Sequence, residues 1–328
     1  MKKLKLSFAA VLFVWIANGQ STHFSQFYST PMLINPAATG LTYGPYRVAA
    51  NYRNQWNDAG SPYKTFTISG DGHILKSQLP EGNVLGLGLA LVNDKTLEGA
   101  VQGNSIALST AYHVSLDEVQ SVGVGFQGTY NEKRVDFSSL HFENQFDGSG
   151  FNPSMPVGEA LGDGKKHYFD VNAGAMYSFM DENRSFMAGA AVYNILKKEE
   201  TYLTEQFKMP MLYSVVLSGD LDVGVNNSFY FSGNYRQQGK DRETTIGMAY
   251  GFFLDETGYT SLKVGLWHRL KDAIIPYAGF SINGLQVGCS YDYTVSQQTR
   301  ANAKNAFEIS VVYVRPDLTE LRRLIPWY

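Results

Sequence analysis

The sequence is poor in cysteine, in charge and in long apolar runs. Of its 328 residues one is cysteine, Cys289, and 17% are charged. A single cysteine forms no intramolecular disulfide, which excludes a disulfide scaffold. The six histidines (His23, His73, His113, His141, His167, His268) lack the close spacing of metal sites, so neither metal nor cofactor is expected. A formal net charge of −3 offers no basic face to a phosphate backbone, and no nucleic-acid partner is expected. After residue 20 there is no apolar stretch of helix-spanning length, and helical periodicity does not persist beyond two or three turns, so membrane helices are not expected either. With 44% hydrophobic residues the chain is nevertheless too apolar to remain disordered.

What is present begins with an export signal. Lys2, Lys3 and Lys5 precede an apolar run from Leu6 to Ala17, and Ala17-Asn18-Gly19 puts small residues where a cut before Gln20 needs them. The run is short for a membrane anchor. No cysteine stands at the cut, so lipoprotein acylation is excluded. Residues 1–19 read as a signal peptide, and losing its three lysines takes the net charge from −3 to −6.

Beyond it, the recurring pattern is period-two alternation in segments of about ten residues, bounded by Gly, Asn, Asp, Ser or Pro. Tyr46, Val48, Ala50 and Tyr52 share one face, with Arg47, Ala49, Asn51, Arg53 and Gln55 on the other. Leu85, Leu87, Leu89 and Leu91 alternate with Gly86, Gly88 and Ala90, which suits an apolar solvent outside and a crowded interior. Val122, Val124, Phe126 and Tyr130 repeat the pattern, as do Phe307, Ile309, Val311 and Tyr313. The same criterion predicts strands at 46–55, 63–73, 84–93, 104–114, 119–130, 167–179, 185–194, 211–220, 228–237, 243–253, 261–270, 273–282, 285–294 and 306–314, fourteen in all. An even number of such segments, with long loops expected at 141–166 and 195–210, predicts an all-β transmembrane β-barrel of the outer membrane, with antiparallel strands. A mean hydropathy of −0.20 fits, because only every second residue of a barrel strand faces lipid. Tyr46, Tyr130, Tyr177, Tyr193, Tyr235 and Tyr293 fall at strand ends, where interfacial aromatic girdles lie. A soluble β-sandwich also alternates, but seldom with so many strands and so few charges on them.

Candidate chemistry is sparse. Gly123-Val124-Gly125-Phe126-Gln127-Gly128 matches GxGxxG in letters, yet its glycines alternate inside a strand with no helix to follow. His113 and His268 gather no nucleophile or carboxylate and read as girdle or loop histidines. Cys289 alternates with Val287 and Tyr291 and reads as a lipid-side packing residue. No catalytic residue is assigned, and the chain is not expected to be an enzyme; a lipid hydrolase would need a nucleophile constellation. Residues 20–45 are interrupted by Pro31 and Pro36 and predict a segment folded into the lumen or against the periplasmic rim, the alternative being a floppy tail. The barrel is expected over 46–314. Residues 315–328 form a tail in which Leu318, Leu321, Leu324 and Ile325 make a weak helical stripe, balanced against fraying.

Several short motifs, taken in order, resemble the PorP/SprF family of outer-membrane proteins associated with type IX secretion. They are His23-Phe24-Ser25-Gln26-Phe27-Tyr28, Asn35-Pro36-Ala37-Ala38-Thr39-Gly40 and Tyr52-Arg53-Asn54-Gln55-Trp56. Trp267-His268-Arg269, Asp272-Ala273-Ile274-Ile275-Pro276, Ser290-Tyr291-Asp292-Tyr293 and Phe307-Glu308-Ile309-Ser310 follow. The stretch 131–210 shows little of the family pattern. The resemblance implies a Gram-negative outer-membrane barrel, surrounded by outer-membrane lipid, that helps secrete or anchor a surface protein such as an adhesin with a C-terminal sorting domain. It implies further that some relatives contact periplasmic ring lipoproteins of the secretion and gliding machinery. Within that frame Arg53 and Gln55 face the lumen with Trp56 at the strand end, and Asp292 and Glu308 face inward by alternation. These are expected to hydrogen-bond the N-terminal segment, whose own contact residues would be His23, Phe24, Ser25, Gln26, Asn35, Pro36 and Gly40, because a charge in a barrel interior is kept when paired or wet. The competing function is a porin or transporter for small solutes.

Overall fold

The computed structural model describes residues 23–56, 62–140, 142–148, 150–152, 154–157, 164–181, 183–197, 208–224, 226–255, 260–296 and 305–316. The stretch read as a signal peptide and the apolar stripe of the tail lie outside them. Among the described residues are fourteen strands: β1 (Tyr46–Gln55), β2 (Tyr63–Ile74), β3 (Val84–Thr96), β4 (Val101–Ser115), β5 (Gln120–Val135), β6 (Lys165–Met180) and β7 (Arg184–Tyr193). The second half comprises β8 (Leu212–Asp222), β9 (Asn227–Gln238), β10 (Asp241–Phe253), β11 (Thr260–Arg269), β12 (Ala273–Ile282), β13 (Leu285–Thr294) and β14 (Ala306–Val314). Each pairs antiparallel with its chain neighbours, and β1 pairs with β14, closing the barrel. Closure removes the unpaired edge that lipid would not tolerate.

The alternation lands as the pattern requires. Val48, Tyr52, Leu87, Leu89, Leu91, Val124, Phe126, Leu266, Val287 and Ile309 are exposed on the outer wall, while Arg47, Asn51, Arg53, Gln127, Ser290 and Glu308 are buried inside. Cys289 is exposed on the outer face. Connections after odd-numbered strands include the long ones, 136–164, 194–211 and 295–305; those after even-numbered strands include 116–119, 181–183 and 283–284. By the usual asymmetry of such barrels the first set faces outward and the second the periplasm.

The structure corrects the sequence reading in three places. β3–β6 run further at their outer ends than alternation predicts, β5 to Val135 rather than 130. There, over Asn131, Glu132, Lys133 and Arg134, both faces are polar, so the hydrophobic signal stops while the backbone ladder continues. Tyr193 is no girdle residue. It is 8% exposed on the lumen side, its hydroxyl donating to the Met32 carbonyl at 3.4 Å. His113 likewise lies in the lumen rather than in a girdle or loop, its Nε2 3.2 Å from the Thr39 carbonyl oxygen.

Candidate functional site

The N-terminal segment fills the barrel. Every residue from Phe24 to Thr42 except Leu33 is buried. Its two prolines do not leave it irregular, because each sits at the start of a short helical turn: Pro31–Ile34 and Pro36–Ala38, after a 3-10 turn at Phe27–Ser29. The ring fixes φ there and the missing N–H would be unpaired in any case. Asn35 joins the last two turns, its Oδ1 accepting from the Ala37 N–H at 2.9 Å.

At the outward end the segment meets charges from adjoining strands at the closing seam. Arg53 on β1 stands opposite Glu308 on β14 in register. Its guanidinium lies 3.1 Å from Glu308 Oε2 and 2.9 Å from Asp292 Oδ2, with all three side chains at most 2% exposed. Arg269 adds a second cation, 2.8 Å from Asp292. The carboxylates turn their remaining capacity to the segment: Ser25 N–H donates to Glu308 Oε2 and Gln26 N–H to Oε1, both at 2.8 Å. Ser25 Oγ donates to Asp292 at 2.7 Å and receives Arg53 Nη1 at 2.8 Å. Gln26 Nε2 reaches Ser290 Oγ at 3.0 Å, and Ser310 Oγ donates to Gln26 Oε1 at 2.6 Å.

Midway, aromatic packing takes over. Tyr28 lies 5.1 Å from Trp267 and 5.8 Å from Tyr277 between ring centroids, and Trp267 Nε1 donates to Ser232 Oγ at 2.9 Å. At the periplasmic end Asp71 holds both chain and wall, accepting from the Gly40 N–H at 2.8 Å and from Arg47 Nη2 at 2.7 Å. Gly40 has φ +72, the left-handed region that favours glycine, and its backbone lies against Gly86. Wall glycines make the room: a Cβ at Gly125 would strike Pro36 and Ala37, and one at Gly174 would strike Asn35 Oδ1. Gly125 of the GxGxxG string is thus part of a seat for the segment.

Of the residues the sequence singles out, Ser25, Gln26, Arg53, Asp292 and Glu308 come together in one network. Phe24 is buried beside it, and His23 stands 3.7 Å from Glu243. Gln55 takes a peripheral place, 3.4 Å from Arg53. Asn35 bonds the Ala175 carbonyl on β6 at 3.0 Å, Pro36 sits against Gly125, and Gly40 is held at the other end. Trp56 is not brought to the network; it follows β1 with φ 60, its N–H on the Asn305 carbonyl. Sequence reasoning missed Arg269 and the Arg47–Asp71 pair. Register could have found the pair, since the two face each other across β1 and β2.

Two solved outer-membrane structures share this barrel. A FadL homologue from Pseudomonas aeruginosa superposes with a TM-score of 0.51 at 10% identity, over 87% of this chain and 94% of that one. The P. putida toluene transporter TodX superposes with a TM-score of 0.50 at 10% identity, over the same shares. At such identity the likeness is one of fold. No curated protein matches. The family does declare itself, since residues 16–313 match the model of the type IX secretion system membrane protein PorP/SprF, and the chain belongs to that family of outer-membrane barrels.

Proposed function

We propose that this barrel is a non-enzymatic, protein-binding component of the type IX secretion and gliding machinery. It binds a secreted surface protein of the adhesin kind that carries a C-terminal sorting domain, and helps deliver it to the cell surface or hold it there. The observation that carries this reading is the filled lumen. A chain that packs its own segment from rim to rim leaves little aqueous path, so its business with other molecules falls to the loops and rims. Where a rim opens, an extended partner segment adds by strand pairing. Periplasmic ring lipoproteins are the further partners this role entails.

The competing reading, a solute porin or transporter, has the barrel in its favour but must first displace the segment. Crosslinking a tagged copy in the native outer membrane, followed by mass spectrometry, separates the two. Recovery of a large secreted protein with a C-terminal sorting domain is expected; recovery of bulk membrane proteins alone would overturn the proposal in favour of the pore.

A further inference from the structure

The outer ends of β2–β6 form a tiered surface. The strand register places Lys64, Lys95, Gln102, Arg134 and Lys165 side by side in one row across five adjacent strands. Alternation puts the row on the outer wall, in phase with Phe66, Leu91, Ile106 and Tyr130, and its four cations are exposed. At the usual strand spacing the row is about 19 Å wide. Two residues nearer the membrane centre Asn93, Asn104, Glu132 and His167 form a polar tier on β3–β6, with Phe66 at its β2 end. Two further on, Ile68, Leu91, Ile106, Tyr130 and Phe169 make a wholly apolar one. From cations to apolar tier is about 13 Å along the strands. Below that, Gly128 carries no side chain and leaves a depression in the wall bordered by Leu108, Phe126 and Val171.

The row has an electrostatic cost. Lys64 faces Lys95 and Arg134 faces Lys165 directly across their strand pairs. Like charges directly opposite destabilise a sheet. Among the described residues Glu132 is a tier lower, 3.7 Å from His167, and Asp136, near Arg134, accepts from Ser138 and Ser139. The rest of the wall at this height is different, with Tyr213, Tyr235, Tyr293 and Phe307 outward and Arg242 as an exposed cation of β10.

We infer that this face of the barrel binds a phosphorylated glycolipid of the outer leaflet. Its phosphates lie along Lys64, Lys95, Arg134 and Lys165, its sugars against the amide tier, and its acyl chains on the apolar tiers and in the depression at Gly128. Charge complementarity selects phosphate, and the tier spacing selects an amphiphile over a free ion. The inference does not rest on the partner-binding role and survives its failure.

The test uses the full-length protein extracted from its own membrane, exchanged through detergent, with bound lipid quantified by mass spectrometry. Binding of purified bisphosphorylated lipid A, its dephosphorylated form and inorganic phosphate is then compared. Each basic residue at an anionic surface contributes about fivefold in affinity. Lys95→Glu with Arg134→Glu is therefore expected to lower retention of phosphorylated lipid on the order of 25-fold or more. Lys95→Gln with Arg134→Gln is expected to act in the same direction and covers the case in which charge reversal impairs folding; Arg242→Glu is expected to leave retention unchanged. Equal retention by the Gln pair and the wild type would overturn the inference. So would equal binding of the dephosphorylated lipid, or saturation of the row by inorganic phosphate alone.

Discussion

Arg53 holds the plug largely through its partners, because it stands between the two buried carboxylates that receive the segment's donors. Asp292 and Glu308 are 1% and 0% exposed in their side chains. Removing one partner of a buried ion pair costs about 3–5 kcal/mol, most of it the penalty of an uncompensated charge. Arg269 covers Asp292 in part, whereas Glu308 keeps only neutral donors. Arg53→Ala is therefore expected to loosen the segment around Ser25 by that amount while leaving the outer wall intact. The measurement is limited proteolysis of the N-terminal segment alongside heat-modifiable gel mobility. Unchanged protection of the segment would show that the network does not hold it.

The strands obey alternation, but their connections obey local hydrogen bonding. In the β4–β5 turn Asp117 accepts from the Val119 N–H at 2.9 Å and from the Gln120 N–H at 2.7 Å, and these donors hold its carboxyl below the usual carboxylate range. A depressed pKa means the turn gains stability above the unfolded value of about 3.9, and loses it as pH falls through the lower folded value. The Val119 and Gln120 amide resonances in a detergent micelle are expected to titrate together with a midpoint below about 3.9, and Asp117→Asn to abolish that titration. A midpoint at or above that value would mean the turn bonds are absent in solution. Asp181 repeats the device in the β6–β7 turn, accepting from Asn183 and Arg184 N–H groups at 2.9 Å. Short turns built on aspartate let the wall reverse without a long loop on the periplasmic side.

The molecule as a whole is a wall and a filling made by one chain. Segment and wall touch through ion pairs at one end, aromatic rings midway and the Asp71 clasp at the other, so the filling is fastened along its length rather than lodged. Excising residues 23–40 is expected to leave a closed barrel with a water-filled lumen, since the wall's own ladder is complete without them. In a planar bilayer the intact protein is expected to pass no steady current and the excised form to conduct. Equal conductance of the two would mean the segment leaves the lumen open.

How much of this was legible in one sequence depends on the range of the forces involved. Strand number, the outward placement of Leu87 or Val124 and the inward placement of Arg53 follow from a two-residue period, which any strand with lipid on one side must show. The plug's contact residues were legible in part: Ser25, Gln26, Asp292 and Glu308 were marked by motif and alternation. Arg269 was passed over because nothing local tells an inward arginine at a strand end from a girdle cation. Tyr193 and His113 were misplaced because strand ends lie near either an interface or a lumen, and only packing against Met32 and Thr39 tells which. The outer ends of β3–β6 escaped because a ladder above the membrane needs no apolar face. The sequence by itself therefore determined the wall, a matter of local periodicity against a slab of hydrocarbon. The path of residues 23–42 through that wall, the pairing of Arg53 with carboxylates 239 and 255 residues away, and the row from Lys64 to Lys165 were settled only when the strands closed. Contacts between distant segments take their geometry from register and closure, which no stretch of the chain carries alone.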